Sequence, residues 1–218
     1  EQLSGKQIDI QWIHREWIPV REKMSDGGFQ WNSQVQDSIE SRLTVVSTKQ
    51  GASAVLHPQG TGYYIVRASA EDDLGNKIFS SCYVYVVGDA YAGWRLHNDD
   101  AIDLVPDKNN YKPGETAKIL VKSPYAQCRA MVTVEREGIF SHFAADLSGN
   151  ASVIEIPITA DRIPNAFVSV ILLQGRTALP TAKQLEDLGK PSFKIGYTPL
   201  SVSADENKLD VTIKPKKE

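Results

Sequence analysis

Along most of the chain, apolar and polar positions alternate with a period of two. In KQIDIQWIH, Ile8, Ile10 and Trp12 alternate with Asp9 and Gln11, the pattern of a strand with one buried face. SRLTVVST, ASAVLHP, GYYIVRASA and KIFSSCYVYVV are further strand candidates, separated by clusters of Gly, Asp and Asn. EDDLGNK, with Asp73, Gly75 and Asn76, predicts a tight turn between the last two. A second block opens at YKPGE, where Pro113 and Gly114 predict a turn, after which Ala117, Ile119 and Val121 alternate with Lys118 and Lys122. RAMVTVER, GIFSHFAADL, ASVIEIPIT and NAFVSVILLQG follow, and the last is apolar on both faces, which predicts a central strand. Short strands at this spacing imply an all-β chain of tandem immunoglobulin-like antiparallel β-sandwiches.

The blocks predict one sandwich over residues 1–92, a linker over 93–101, a second sandwich over 102–197, and over 198–218 a connector with the first strand of a truncated third domain. Pro106 in DLVPDK and Pro215 in TIKPKK lie 109 residues apart, about one sandwich plus a connection. SGKQIDIQWIHREW resembles the middle of the second block, so the first sandwich is expected to lack one or two opening strands and to leave an unpaired edge near Gln7 to Trp12. The linker carries Trp94, with Tyr91 just before it, and is expected to pack against a domain. One helix is predicted, in PTAKQLEDLGK: Thr181 and Gln184 have capping-box spacing, Leu185 and Leu188 share a face, and Gly189 ends the turn.

Composition narrows the function. A length of 218 residues accommodates two domains of about 100. The net charge is -3 with no gathered basic patch, which argues against a nucleic acid partner. No apolar run approaches the ~20 residues that cross a bilayer, and EQLSGKQ lacks the zones of a signal peptide. Cys82 and Cys128 lie in strand-like runs of different blocks and are expected to be buried free thiols acting as small hydrophobes. The usual catalytic patterns, including G-x-S-x-G, H-E-x-x-H, Walker and C-x-x-C, are missing from the sequence. His14, His57, His97 and His142 are dispersed singly and do not suggest a zinc site. Asn98, Asp99, Asp100 and Asp103 in HNDDAID fit a turn better than calcium, which needs six to eight oxygens. Asn150 in GNAS is a glycosylation sequon or a hairpin turn. For each of the pairs Tyr63 with Tyr64 and Tyr83 with Tyr85, one ring is expected in the core and the other at a rim. The residues thus point to no catalytic site, no metal site and no cofactor.

The ordered run WRLHNDDAIDLVPDKNNYKPGETAKILVKSP, VTVEREGI, GNASVIEIPIT, PNAFVSVILLQGR and PSFKIGYTPLSV resembles the macroglobulin-like domains of bacterial alpha-2-macroglobulins. IHREW, GTGYYIVRASAEDDLGN and SSCYVYVVGDAY are similar to the domain that precedes them. The resemblance implies part of a large periplasmic protease inhibitor, tethered to the inner membrane as a lipoprotein, which is cut in a bait segment, rearranges around the protease and exposes a Cys-Gln thioester. Neither Cys82 nor Cys128 lies in the Cys-x-Glu-Gln thioester motif, and the bait is expected within or after the third domain. What the resemblance implies for this chain is therefore scaffold: not an enzyme, partnered by neighbouring domains of the parent protein and, through the full-length protein, by target proteases. The expected contact elements are the Trp94 linker, the 176–192 connection and the edge near Gln7 to Trp12. Two other readings stand beside it: a tandem immunoglobulin-like adhesion or cell-surface module, which would need a ligand or calcium at the junction, and a hydrolase with an unrecognised site.

Overall fold

A computed structural model describes residues 4–25, 29–72, 74–88, 90–95, 99–180, 187, 189–209 and 211–212. The described residues form twelve strands in three sheets, with no α-helix among them. The predicted helix falls on residues 181–186 and 188, outside the described residues. Two compact units emerge. The first is Glu1–Ile102 with Lys122–Cys128 and Leu147–Ser152, and the second is Asp103–Val121, Arg129–Asp146 and Val153–Glu218.

In the first unit, β1 (Gln7–Lys23), β2 (Phe29–Val46), β3 (Gly62–Glu71) and β4 (Lys77–Val86) form one antiparallel sheet in the order β2-β1-β3-β4. The edge expected near Gln7 to Trp12 is not an edge: Gln7 lies opposite Val46 on β2, and Asp9 also lies opposite Ser69 on β3. Two expected strands flank it, SRLTVV in the second half of β2 on one side and GYYIVRASA in β3 on the other. The unforeseen first half of β2, FQWNSQVQDSIE, whose polar residues give no strand signal, pairs instead with Ile13–Lys23 along a hairpin reaching Lys23 opposite Phe29. The register shifts between Trp12 and Ile13, leaving Glu40 as the extra residue of a bulge. Beyond Arg15, β3 has ended and β1 is paired by β2 alone. Pro19, two residues past Trp17 and of the same parity, tolerates that open side because it has no N–H to leave unpaired. ASAVLHP, expected as a strand, makes no ladder. Pro58 cannot donate, and Val55 is 79% exposed, so nothing apolar recruits the segment.

In the second unit, β10 (Ala151–Pro157), β7 (Thr116–Lys122) and β5 (Leu104–Pro106) form a three-stranded sheet in that order. β6 (Asn110–Tyr111), β12 (Ser192–Val202), β11 (Asn165–Gln174), β8 (Gln127–Arg136) and β9 (Gly138–Ser148) form a five-stranded one. The ends of β7, β8, β9 and β10 extend into the segments grouped with the first unit. One face of each sheet is buried, by Ala117, Ile119 and Val121 on β7, and by Val132, Val134, Val168, Val170 and Leu172 on β8 and β11. β11 is central, as its two apolar faces predict, but only the face carrying Ala166, Val168, Val170 and Leu172 is fully buried. β12 continues to Val202, with Leu200 and Val202 buried, so the ladder runs past residue 197 into the stretch expected to be a connector. Among the described residues after 207, none is in a strand, and the rest of the expected third-domain strand lies outside them.

The opening of this unit closes on itself. Tyr111 Oη donates to Asp107 Oδ1 at 2.8 Å, and the Lys118 N–H donates to the same oxygen at 2.9 Å. Glu115 N–H donates to Lys112 O at 3.1 Å around Pro113 and Gly114. Gly114 has φ +90, the left-handed value that a proline-glycine turn of type II needs.

Candidate interaction site, the Trp94 clamp

The best-defined polar and aromatic constellation is built on the segment after β4. Past the end of β3, Gly93 O takes the Trp17 N–H at 3.1 Å and so occupies the open side of β1. A Cβ at residue 93 would come within 3.4 Å of both Glu16 Cβ and Trp17 N. Glycine permits that approach. The next side chain, Trp94, is 3% exposed, and its Nε1 donates to Asn150 O at 2.7 Å. That carbonyl also accepts the Ser123 N–H at 3.1 Å.

Asn150, 3% exposed, completes the clamp: its Oδ1 accepts the Ala92 N–H at 2.9 Å, and its Nδ2 donates to Ala92 O. One side-chain amide thus reads both polar groups of one backbone residue, as a strand neighbour would. The sequon reading fails for the same reason, since a buried and doubly bonded amide is not presented for modification. No local signal could have revealed this, because the partner lies 58 residues away.

Rings extend the clamp across the sheet. Tyr85 lies 5.9 Å from Trp94 and 5.1 Å from Tyr63, which in turn lies 5.1 Å from Trp17 and 5.5 Å from Tyr83. Lys122 Nζ sits 4.6 Å over the Tyr85 ring and 5.7 Å over Trp94, and bonds Tyr85 Oη at 3.2 Å. Aromatic pairs add about 0.5–1.5 kcal/mol each beyond area burial, and cation–π contacts about as much. Burial, with the neighbouring Tyr85 and Tyr83, pushes the Tyr63 phenol up to about 12. Tyr63 therefore stays neutral in the physiological range, and the ladder meets the Lys122 cation at one end. Tyr83 and Tyr85 share a face, contrary to the expectation that one of them enters the core, because residues two apart on a strand point the same way. Tyr64 is the buried ring, stacked 4.8 Å from Trp12 and 4.7 Å from His14. The bulge residue Glu40 reaches this stack, 3.6 Å from His14 Nδ1 and 3.3 Å from Tyr64 Oη. As expected, Trp94 packs; Tyr91 does not, being 71% exposed.

The remaining candidates stay apart. His57 and His142 are exposed on different segments, and His97 and Asn98 lie outside the described residues. Asp99 Oδ1 accepts the Ala101 N–H at 3.0 Å, a turn bond. Among the described residues no group of three His, Cys, Asp or Glu could hold a metal, and no helix is long and apolar enough to cross a membrane. Both cysteines are free, but Cys82 is exposed, because it lies on the edge strand β4 with no layer over it. Cys128 is buried 3.8 Å from Ser123 Oγ, and burial pushes its thiol up despite that hydroxyl, which disfavours the reactive thiolate. Of the expected contact elements, the 176–192 connection is tied by Arg176 Nη1 to Asp187 Oδ2 at 2.8 Å. The constellation as a whole can staple segments together.

Comparison with known proteins matches residues 102–218 to the family model described as alpha-2-macroglobulin bait region domain. An alpha-2-macroglobulin homolog of Nostoc sp. is 24% identical over 98% of the chain, and an alpha-2-macroglobulin of Pasteurella multocida is 19% identical over 100%. The chain spans 11% of the length of each. A crystal structure of a Salmonella alpha-2-macroglobulin mutant aligns with 98% of the chain and 13% of its own, at 19% identity and a TM-score of 0.38.

Proposed function

The chain belongs to the alpha-2-macroglobulin family, and from that premise we propose that it is a structural part of a bacterial protease trap, contributing scaffold rather than chemistry. The observation that carries the reading is the joint one: a family model over 102–218, with bacterial relatives aligned over nearly the whole chain but only 11% of their own length. The clamp fits such a role, since Asn150, Trp94 and Lys122 hold segments distant in sequence as one body, as a part that moves rigidly during a rearrangement requires. The matched model is named for the bait region. The described strands of residues 102–202 are laddered, so the proposed role there is to support a bait, with the cleavable segment and thioester contributed by other residues of the parent. Its partners are the neighbouring domains and, through the parent, the captured protease. The proposed setting is the periplasm, with the parent anchored to the inner membrane as a lipoprotein; fractionation of cells expressing the parent tests this.

The functional test uses the 218-residue chain at stoichiometric and tenfold excess over a protease acting on a large protein substrate. Scaffold predicts an unchanged rate, whereas stoichiometric inhibition by this chain alone overturns the assignment. In the full-length parent, Asn150→Ala is expected to leave bait cleavage intact and to lower the fraction of protease retained. Equal retention by both forms would remove the clamp from the mechanism.

A further inference from the structure

We propose that the pocket between the β8–β9 hairpin and the outer face of β11 and β12 docks an extended peptide segment of a partner polypeptide that carries a lysine or arginine beside apolar side chains. The pocket has a volume of about 580 Å³, with Phe167 and Tyr197 as its floor and Ile139 as a wall. These three are 43%, 60% and 62% exposed, and they converge on one hollow instead of being scattered singly over the surface. They are not spill-over from the core, which the opposite face of β11 supplies with Ala166, Val168, Val170 and Leu172 at 0% exposure. The same outer face continues in register through Ile171, opposite Ile195 and Met131, to Leu173, opposite Phe193. From Phe167 to Leu173 this stripe runs roughly 20 Å, the length of about six extended residues.

The charge at the hollow selects the occupant. Glu135 and Glu137 line it, and neither has an ion-pair partner among the described residues. Among the described residues, the Glu135 carboxylate accepts a 3.4 Å bond from Thr133 Oγ1. The cation in the lining, Arg136, is committed to backbone: its Nη1 donates to Ile163 O at 2.8 Å and Asn165 O at 3.0 Å, and its guanidinium lies 5.3 Å from the centre of the Phe140 ring. Glu137 holds φ +54, a left-handed conformation that a glycine would adopt with less strain. The hairpin therefore keeps a carboxylate at a position where the backbone alone favours glycine. A lysine or arginine entering here would lay its stem on Tyr197 and Phe167 and bring its charge to both carboxylates.

The test is a titration of the 218-residue chain with an acetylated hexapeptide alternating lysine and leucine, followed by residue-resolved amide shifts, against glutamine–leucine and glutamate–leucine counterparts. Saturable shifts confined to 135–139, 167 and 197 and to the continuing outer face at 131, 171, 173, 193 and 195 are expected, with the lysine peptide bound at least about tenfold more tightly than the glutamate one. Glu137→Gly is expected to weaken lysine-peptide binding about two- to fivefold while leaving the unfolding midpoint equal or higher, which separates lost recognition from lost folding. Glu135→Gln with Glu137→Gln leaves Arg136 as the only charge among the described residues that line the hollow and should abolish the preference for lysine. Equal binding of the lysine and glutamine peptides overturns the proposal, as do shifts elsewhere. Perturbation of the same residues by raising chain concentration without peptide would reassign the face to self-association and also overturn it.

Discussion

The two units use the same strand alternation and reach different degrees of burial. In the second, Ile119, Val132, Val168, Val170 and Leu172 are all at 0% exposure, because two sheets each bury a face. In the first, one four-stranded sheet carries the whole pattern; Ile8, Ile10, Leu43 and Val45 are half-buried, and full burial gathers at Trp12, Ile13, Tyr64, Ile65 and the Trp94 clamp. Alternation therefore specifies which face a side chain takes, and the presence of a second layer decides whether that face becomes a core. The first unit relies on stacked rings and buried hydrogen bonds where the second relies on aliphatic packing.

The largest test of this contrast compares Ile119→Ala with Ile10→Ala. The first deletes buried atoms from a closed core and should cost about 2–5 kcal/mol. The second trims a half-exposed side chain and should cost less than half as much. Urea unfolding with amide exchange resolved by unit would measure both, and equal losses would end the distinction. Next in size is Asn150→Ala, which strands the Ala92 N–H and C=O and should cost about 1–3 kcal/mol. It is expected to accelerate exchange at Ala92 and shift Trp94 emission to the red, without altering exchange in β11.

A smaller effect is expected at the opening of the second unit. Burial raises the Asp107 carboxyl, but the Lys118 N–H and the Tyr111 hydroxyl outweigh it and hold the group below the ordinary aspartate value. A depressed folded-state pKa contributes stability that is present above the unfolded value of about 3.9 and is lost as pH falls through the folded one. Asp107→Asn should cost about 1 kcal/mol at neutral pH and flatten the acid limb of stability below about pH 4. An unchanged acid limb would assign it to other carboxylates.

Local pattern revealed the strands, the YKPGE turn and the central place of β11, because each depends on neighbours within a few residues. It missed the first half of β2, where Gln, Asn and Ser alternate with few apolar residues and only the partner strand enforces extension. It misplaced the edge because SRLTVV and GYYIVRASA are legible as strands, while their pairing with Gln7 to Trp12, roughly 30 to 60 residues away, is not. Cys82 looked buried because its flanks are apolar, yet β4 is an edge strand without a covering layer. The clamp was half legible: Trp94 was recognisable as an aromatic too costly to leave in water, while Asn150 carried only a turn and a sequon. Its role depends on a partner 58 residues away, which no window of periodicity spans.

The smallest predicted effect probes the hairpin of β1 and β2 at Arg15, the last residue of β1 that lies opposite β3. Arg15 binds Asp37 through two 2.7 Å bonds, with side chains 28% and 37% exposed. The hydrogen bond from Arg15 holds the Asp37 carboxyl below its usual range, so the pair's contribution is present at neutral pH and lost as pH falls through that lowered value. An exposed pair of this kind is worth about 0.2–1 kcal/mol, since solvent and salt screen it. A double-mutant cycle with Arg15→Ala and Asp37→Ala should return a coupling in that range, shrinking toward zero in molar salt. A coupling several times larger and insensitive to salt would mean that this ribbon is held by charge in a dry environment, and the view of the first unit as a sheet secured by rings and buried amides would have to give way.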